Sequence, residues 1–387
     1  MLIVEATSTE SDSTKAAERV VASVQKKLEG APADLAFVFL SHQHAPELEE
    51  AFEVIATRLK ARHLVGCTAE SVISGKTEHE RRPAISLWAA SMPRARIESA
   101  HISLEQTAEG FAFVGLPEIP DGPASMILLP EPFSFPADEL LKRLREDHPR
   151  LDVLGGMASA AHSPGENRLF CGAEVLVEGA AAVVISGGVR VRPLVSQGCR
   201  PFGKPFVVTK AEKNLIRELG GRPALEKLMA EIKELKPDER AMLDRGLHVG
   251  IAIDASKRNH QRGDFLVRNV LGASREDGSV AVADIVRPGT TIQFHLRDVE
   301  TASEDLELLL RGLGTTGSKP AGALLFSCNG RGSRMFDVPS HDAACVAREL
   351  GELPLAGFFA AGEIGPVGGE NFLHGFTASL ALFEDAE

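Results

Sequence analysis

The chain has 387 residues, 44% of them apolar and 25% charged, and a formal net charge of −12. That length exceeds one ordinary core and predicts two domains, while the acidic balance, with no clustered Lys/Arg stripe, argues against nucleic acid or an anionic membrane as partner. Five cysteines without a C-x-x-C spacing argue against a zinc ribbon or a disulfide framework.

The opening MLIVEATSTESDSTK lacks the basic n-region and long apolar run of a signal peptide, and no stretch has the length of a membrane span, so the expected location is cytoplasmic. Ser11, Asp12 and Ser13 offer N-caps to a helix reaching Leu28, with Ala17, Val20, Val21, Val24 and Leu28 along one side. DLAFVFLS (34–41) reads as a strand, His42 to Pro46 as a polar break, and Leu48 to Ala61 as a helix. HLVGCTAESVIS (63–74) is a second strand that ends in glycine and small polar residues, and AISLWAASM (84–92) a third.

The same order returns twice. Residues 124–135 read as strand and loop, 136–147 as a helix with Pro136 at its start, and 152–161 as the second strand with Gly155; near the C-terminus 321–332, 340–350 and 354–366 repeat the plan with Gly357. Strand-loop-helix-strand units of this kind predict an α/β protein of mixed sheets in two related halves. Between them lie the helix 222–236 and four short runs, HVGIAID, FLVRNVLG, GSVAVAD and TTIQFHLRD, which predict a β-rich meander opening the second half. The domain boundary is drawn after Gly221, giving 1–221 and 222–387.

In parallel α/β units the carboxyl ends of strands face one way, so the turns near Gly66, Gly155 and Gly357 and the loops 42–46, 130–135 and 327–331 are expected to converge on one rim. Gly362, Gly365, Gly368 and Gly369 around Glu363 predict a tight loop whose backbone approaches a small anion or carboxylate. Expected ligand contacts on the rim are Cys67, Thr68 and Glu70 from the first unit, and Gly156 and Met157 from the second. The third supplies Cys328, Asn329, Arg331, Gly362, Glu363, Gly365, Asn371 and His374. Arg331 suits a carboxylate held bidentately, and Glu363 an amino group. Each has a plain structural alternative: Glu363 as a cap on loop N–H groups, His374 as a satisfied core histidine, and the Cys328 to Arg334 segment as a solvated loop over a buried thiol.

Catalytic signatures are incomplete. Gly312, Gly314 and Gly317 form G-x-G-x-x-G, but after a helical stretch and before a strand, the reverse of a dinucleotide site. His42 and His44 form an H-x-H without further ligands at a recognised spacing. No cofactor, metal or complete catalytic set is expected.

The string GFFAAGEIGPVGGENFLHGFTASLALF, preceded by LLFSCNGRG and HDAACVAREL, resembles the C-terminal signature of FIST domains. GCRPFG with RPALEKLM is similar to the end of the FIST N-terminal region, so the resemblance covers nearly all of the chain after Asp34. It implies a sensory module that binds small ligands, amino acids among those proposed, as an input to signalling through a separate protein. Two alternatives stand beside it: an enzyme acting on a small metabolite with Cys67 or Cys328 as nucleophile and Glu363 or His374 as acid or base, and an interaction scaffold without a ligand.

Overall fold

The computed structural model describes residues 1–108, 110–254, 257, 260, 263–314 and 319–386; Gly317 of the G-x-G-x-x-G run lies outside them. The chain is mixed α/β. In order it forms β1 (Leu2–Ser8), α1 (Ser13–Leu28), β2 (Leu35–Ser41), α2 (Leu48–Leu59), β3 (His63–Ala69), β4 (Val72–Ser74), β5 (Thr77–His79), β6 (Ile85–Ser91), β7 (Ala95–Thr107) and β8 (Gly110–Val114). There follow β9 (Ala124–Pro130), α3 (Ala137–Asp147), β10 (Asp152–Gly156), β11 (Leu169–Cys171), β12 (Glu174–Leu176), β13 (Ala180–Gly187) and β14 (Val189–Gln197). Next come β15 (Cys199–Glu212), β16 (Leu215–Leu219), β17 (Arg222–Pro223), α4 (Ala224–Glu234), α5 (Pro237–Ala241), β18 (Leu247–Ala252), β19 (Phe265–Ala273), β20 (Val280–Val282) and β21 (Thr291–Arg297). The last are α6 (Val299–Gly314), β22 (Gly322–Cys328), α7 (His341–Leu350), β23 (Leu355–Ala360), β24 (Glu363–Val367), β25 (Glu370–His374) and β26 (Thr377–Asp385).

These pack as two compact units, Met1–Ser196 with Leu306–Glu387, and Gln197–Asp305. The second takes in both sides of the boundary drawn after Gly221.

The first unit holds three sheets, in the orders β1-β6-β2-β3-β11-β12, β25-β24-β10-β9-β13-β7-β8 and β14-β26-β22-β23-β4-β5. Each contains a parallel pair, β2 with β3, β9 with β10 and β22 with β23, connected through α2, α3 and α7. These strands are apolar on both faces, as strands buried between two layers must be. Alternation then sorts their side chains. Leu35, Phe37 and Phe39, Ile127 and Leu129, and Leu324 and Phe326 turn into one core shared by the three sheets. Ala36, Val38 and Leu40 pack with α1 and α2, Met126 and Leu128 with α3, and Ala323 and Leu325 with α7.

Gly66, Gly155 and Gly357 stand opposite Val38, Leu128 and Leu325 in those pairs. They lie within the second strands, not at turns after them. An added Cβ would come 2.0, 1.9 and 1.8 Å from the facing carbonyl oxygen, so the close approach they permit is of one strand to its neighbour.

In the second unit the four runs read as a meander become β18 to β21. β15 pairs with both β21 and β16, which closes β15, β21, β18, β19, β20 and β16 into a ring around Phe206, Val249, Ile292 and Phe294. Helix α4 buries Ala224 and Leu228, whereas its Met229 is 56% exposed. Among the described residues no helix is long and apolar enough to cross a membrane.

Candidate functional site

Hydrogen bonds lace the carboxyl ends of β3, β10, β22 and β23 together. The Met157 N–H donates to Gly362 O at 2.9 Å and the Ala361 N–H to Met157 O at 3.1 Å; the Asn329 N–H donates to Ala360 O at 2.9 Å and the Phe359 N–H to Ser71 O at 3.0 Å. Ser159 is the knot: its N–H donates to Thr68 O, its hydroxyl to Phe359 O, and its Oγ accepts from the Glu70 N–H. Across the top, the Arg334 Nη1–H donates to Glu70 Oε2 at 2.9 Å.

Glu363 opens β24 beside β10, paired with Gly156. The tight loop expected around it is instead a hairpin: β24 and β25 pair from Glu363↔His374 to Val367↔Glu370. Its turn is Gly368-Gly369 with φ of +63° and +85°, as a two-residue hairpin turn with two positive φ values requires. Gly362 and Gly365 pack against the protein itself, where a Cβ would meet Leu373 Cδ1 at 3.0 Å and Val195 Cγ2 at 2.4 Å. Gly156 likewise faces Ala360 Cβ at 2.8 Å.

The Glu363 side chain is wholly buried. Oε2 accepts from the Thr377 N–H at 3.1 Å and the Thr377 hydroxyl at 2.9 Å, while Oε1 has no hydrogen-bond partner among the described residues. Burial pushes the carboxyl up to about 8 against the opposing pull of Thr377, Cys328 and Arg331. The half-buried Cys328 lies against this carboxyl, and its Sγ accepts from the Gly330 N–H at 3.4 Å. The backbone N–H of Phe376, a bulky residue held at φ +62°, points to the same sulfur; such a φ is strained for a residue of this kind. Burial and then Glu363 push the thiol far above its ordinary range, so the group is a thiol and not a thiolate.

Arg331 does not extend into solvent. It is fully buried and grips Asp342 of α7 through Nε to Oδ2 at 2.7 Å and Nη2 to Oδ1 at 2.8 Å, with its guanidinium 5.2 Å from the Phe336 ring centroid. Among the described residues its Nη1 has no hydrogen-bond partner, nor does Asn329 Oδ1. Asp342 also accepts from the Ser327 hydroxyl at 2.8 Å and lies 2.9 Å from His341 Nδ1. Burial opposes its ionisation, but the Arg331 charge prevails and holds the carboxyl well below the usual range. Glu78 of β5 completes the cluster: Oε1 accepts from the Asp342 and Ala343 N–H groups at the start of α7, and burial with the Asp342 charge pushes it up to about 8. Asp342 and Glu78 were not expected from the sequence; an acid in the first turn of the helix after LLFSCNGRG was the one signal for Asp342.

Other expected contacts fall elsewhere. Cys67 is fully buried in the core between Phe39 and Leu169, and burial alone pushes its thiol well up; the even alternation that brings Phe37 and Phe39 inward carries Cys67 with them. Asn371 is structural: Oδ1 accepts from the Val153 N–H at 2.9 Å and Nδ2 donates to Leu151 O at 2.7 Å, at the far end of β10. His374 is buried, with Nε2 2.9 Å from Gly365 O and its ring edge-on to Phe372. His42 and His44 diverge, to Glu70 O and Ser13 Oγ respectively. Among the described residues no group of three or more His, Cys, Asp or Glu could hold a metal ion.

Beside Thr68 the rim continues into a cleft of about 560 Å³ lined by His42, Leu48, Glu49, Ala161, Glu166 and Arg168 among others. Thr68 forms its wall, exchanging backbone and hydroxyl hydrogen bonds with Arg168.

The FIST N domain model matches residues 34–222 and the FIST C domain model residues 224–366. An uncharacterized protein of Mycobacterium tuberculosis (strain H37Rv) is 40% identical over 379 residues, 98% of either chain. Another, of Mycobacterium bovis (strain AF2122/97), is 40% identical over 375 residues, 97% of this chain and 96% of its own. FIST domains are associated in general with sensing and signalling. With both domain models matched in tandem and relatives alike from end to end, the chain belongs to the FIST family.

Proposed function

We propose that the protein is a sensory module that takes a small polar metabolite at the laced strand ends and passes its occupancy to a separate signalling protein. One observation carries this reading. Glu363 Oε1, Asn329 Oδ1 and Arg331 Nη1, three buried polar atoms on one rim, have no hydrogen-bond partner among the described residues. Folded proteins satisfy nearly all such atoms, and each one left open costs about 1–3 kcal/mol. A ligand that pairs with them recovers that free energy.

The chemistry of the ligand follows from the protonation states. A Glu363 carboxyl that titrates at about 8 is neutral at pH 7 and donates from Oε1, and Arg331 Nη1 donates as well. The pair therefore suits a carbonyl or carboxylate oxygen, with Asn329 accepting from an N–H or O–H of the ligand. This reverses the role expected for Glu363, since an ammonium group would first have to displace its proton. Cys328 serves as a wall of the site; its raised thiol disfavours the nucleophile that the enzymatic reading needs.

The test is a thermal-shift screen of amino acids, their amides and 2-oxo acids. Asn329→Ala is expected to lose the ligand-induced shift with its unliganded melting temperature unchanged, because Oδ1 supports nothing in the fold. Glu363→Gln, which keeps a neutral donor, is expected to retain the shift. A screen without a hit, or an Asn329→Ala variant that still responds, contradicts the reading.

A further inference from the structure

Strand β8 leaves both an edge and an apolar face uncovered. It reads Gly110-Phe111-Ala112-Phe113-Val114, pairs among the described residues with β7 alone, and ends its sheet. Nothing protects that edge: it holds no charge, no proline and no register shift, the devices that normally block a further strand. Phe111 is 69% exposed and Phe133 46%. Between them Phe113, its ring 5.4 Å from that of Phe135, lines a groove of about 700 Å³. An apolar groove beside an unprotected edge marks an interaction surface.

The strand itself identifies what covers it. About Ala112 it is symmetric, with Phe on either side. A second copy added antiparallel about a two-fold axis at Ala112 sets Phe111 opposite Phe113 of that copy, and the reverse. Two cross-strand aromatic pairs then share one face, and alanine meets alanine on the other. Because the axis pairs residues of like parity, those whose N–H and C=O groups point away from β7 meet their own kind, and the ladder forms in either hydrogen-bonding phase. The groove rim carries both signs, Glu139 and Arg143, as a patch that must complement itself requires.

We propose that β8 is a homodimer interface, through which two copies join edge to edge and continue one sheet across a two-fold axis. One short strand with two flanking grooves lies at the small end of specific interfaces, so assembly is concentration-dependent.

Sedimentation equilibrium on the full chain, 41.3 kDa, tests this. The wild type is expected to approach twice that mass as its concentration rises through the micromolar range. Phe111→Asp is expected to stay monomeric throughout with an unchanged melting curve, since the side chain it replaces is exposed. The register has its own test: Ala112→Cys, set opposite itself, is expected to yield a disulfide-linked dimer on mild oxidation, whereas Val114→Cys, opposite Gly110, is not. A wild type that remains monomeric, a Phe111→Asp variant that still dimerises, or equal cross-linking at the two positions overturns the proposal.

Discussion

Arg331 and Asp342 form a bidentate pair in which neither side chain reaches solvent. The pair ties the loop after β22 to the first turn of α7, and so holds Cys328 and Asn329 in place beside Glu363. Removing one partner strands a charge in the interior. Asp342→Ala is therefore expected to lose about 3–5 kcal/mol in urea unfolding, whereas a surface pair is worth about 1 kcal/mol at most. A loss of the smaller size would mean that water reaches Arg331.

Glu363 and Glu78 make stability depend on alkaline pH. Their folded values are about 8, against an ordinary 4.5. Between those limits the folded protein keeps protons that the unfolded chain has released, so this stabilisation is complete below 4.5 and is lost as pH rises through 8. The melting temperature is expected to fall from pH 7 to 9, and Glu363→Gln with Glu78→Gln to flatten that fall. An unaltered slope in the double variant would contradict it.

The second unit carries the opposite dependence. His248 and His295 face each other on β18 and β21, and both are lowered to about 4 from 6.5, by burial first. From pH 6.5 down to about 4 the unfolded chain takes up protons that the folded unit does not. Stability contributed by the neutral rings is present above 6.5 and lost as pH falls through that window. Hydrogen exchange of β18 and β21 is expected to quicken relative to the intrinsic rate from pH 7 to 5. Constant protection would count against two neutral buried rings.

At Gly357 a Cβ would lie 1.8 Å from Leu325 O, whereas at Gly369, φ +85°, it would meet nothing within 4 Å. Gly357→Ala is expected to cost more than about 4 kcal/mol, since the obstacle is backbone, and Gly369→Ala only about 1 kcal/mol for its conformation. Denaturant midpoints of the two variants check this; similar midpoints would mean that β22 and β23 can separate without penalty.

The three crossover pairs were legible because strands buried on both faces read as unbroken apolar runs next to amphipathic helices. What lay between them was less so. β1 was missed because LIVEATS opens with only three apolar residues before Glu5 and its burial depends on pairing with β6, and β7 because its ARIESAHISLEQT mixes charge into a half-exposed strand. At the site, Glu363, Cys328 and Asn329 stood out through their glycine-rich setting. Gly362 and Gly365 were read as ligand-facing because the sequence cannot tell backbone approaching a ligand from backbone approaching Leu373 or Val195. Asp342, which takes Nε and Nη2 of the Arg331 guanidinium, went unread because it lies in another element and only folding brings the two together.

Amide chemical shifts test directly whether a ligand sits over Glu363. With a metabolite that raises the melting temperature, the largest perturbations are expected on Gly330, Ala361 and Phe376, and are expected to vanish in Asn329→Ala. Perturbations confined to the second unit, or to the cleft of His42 and Arg168 with the Glu363 surroundings unmoved, would contradict it.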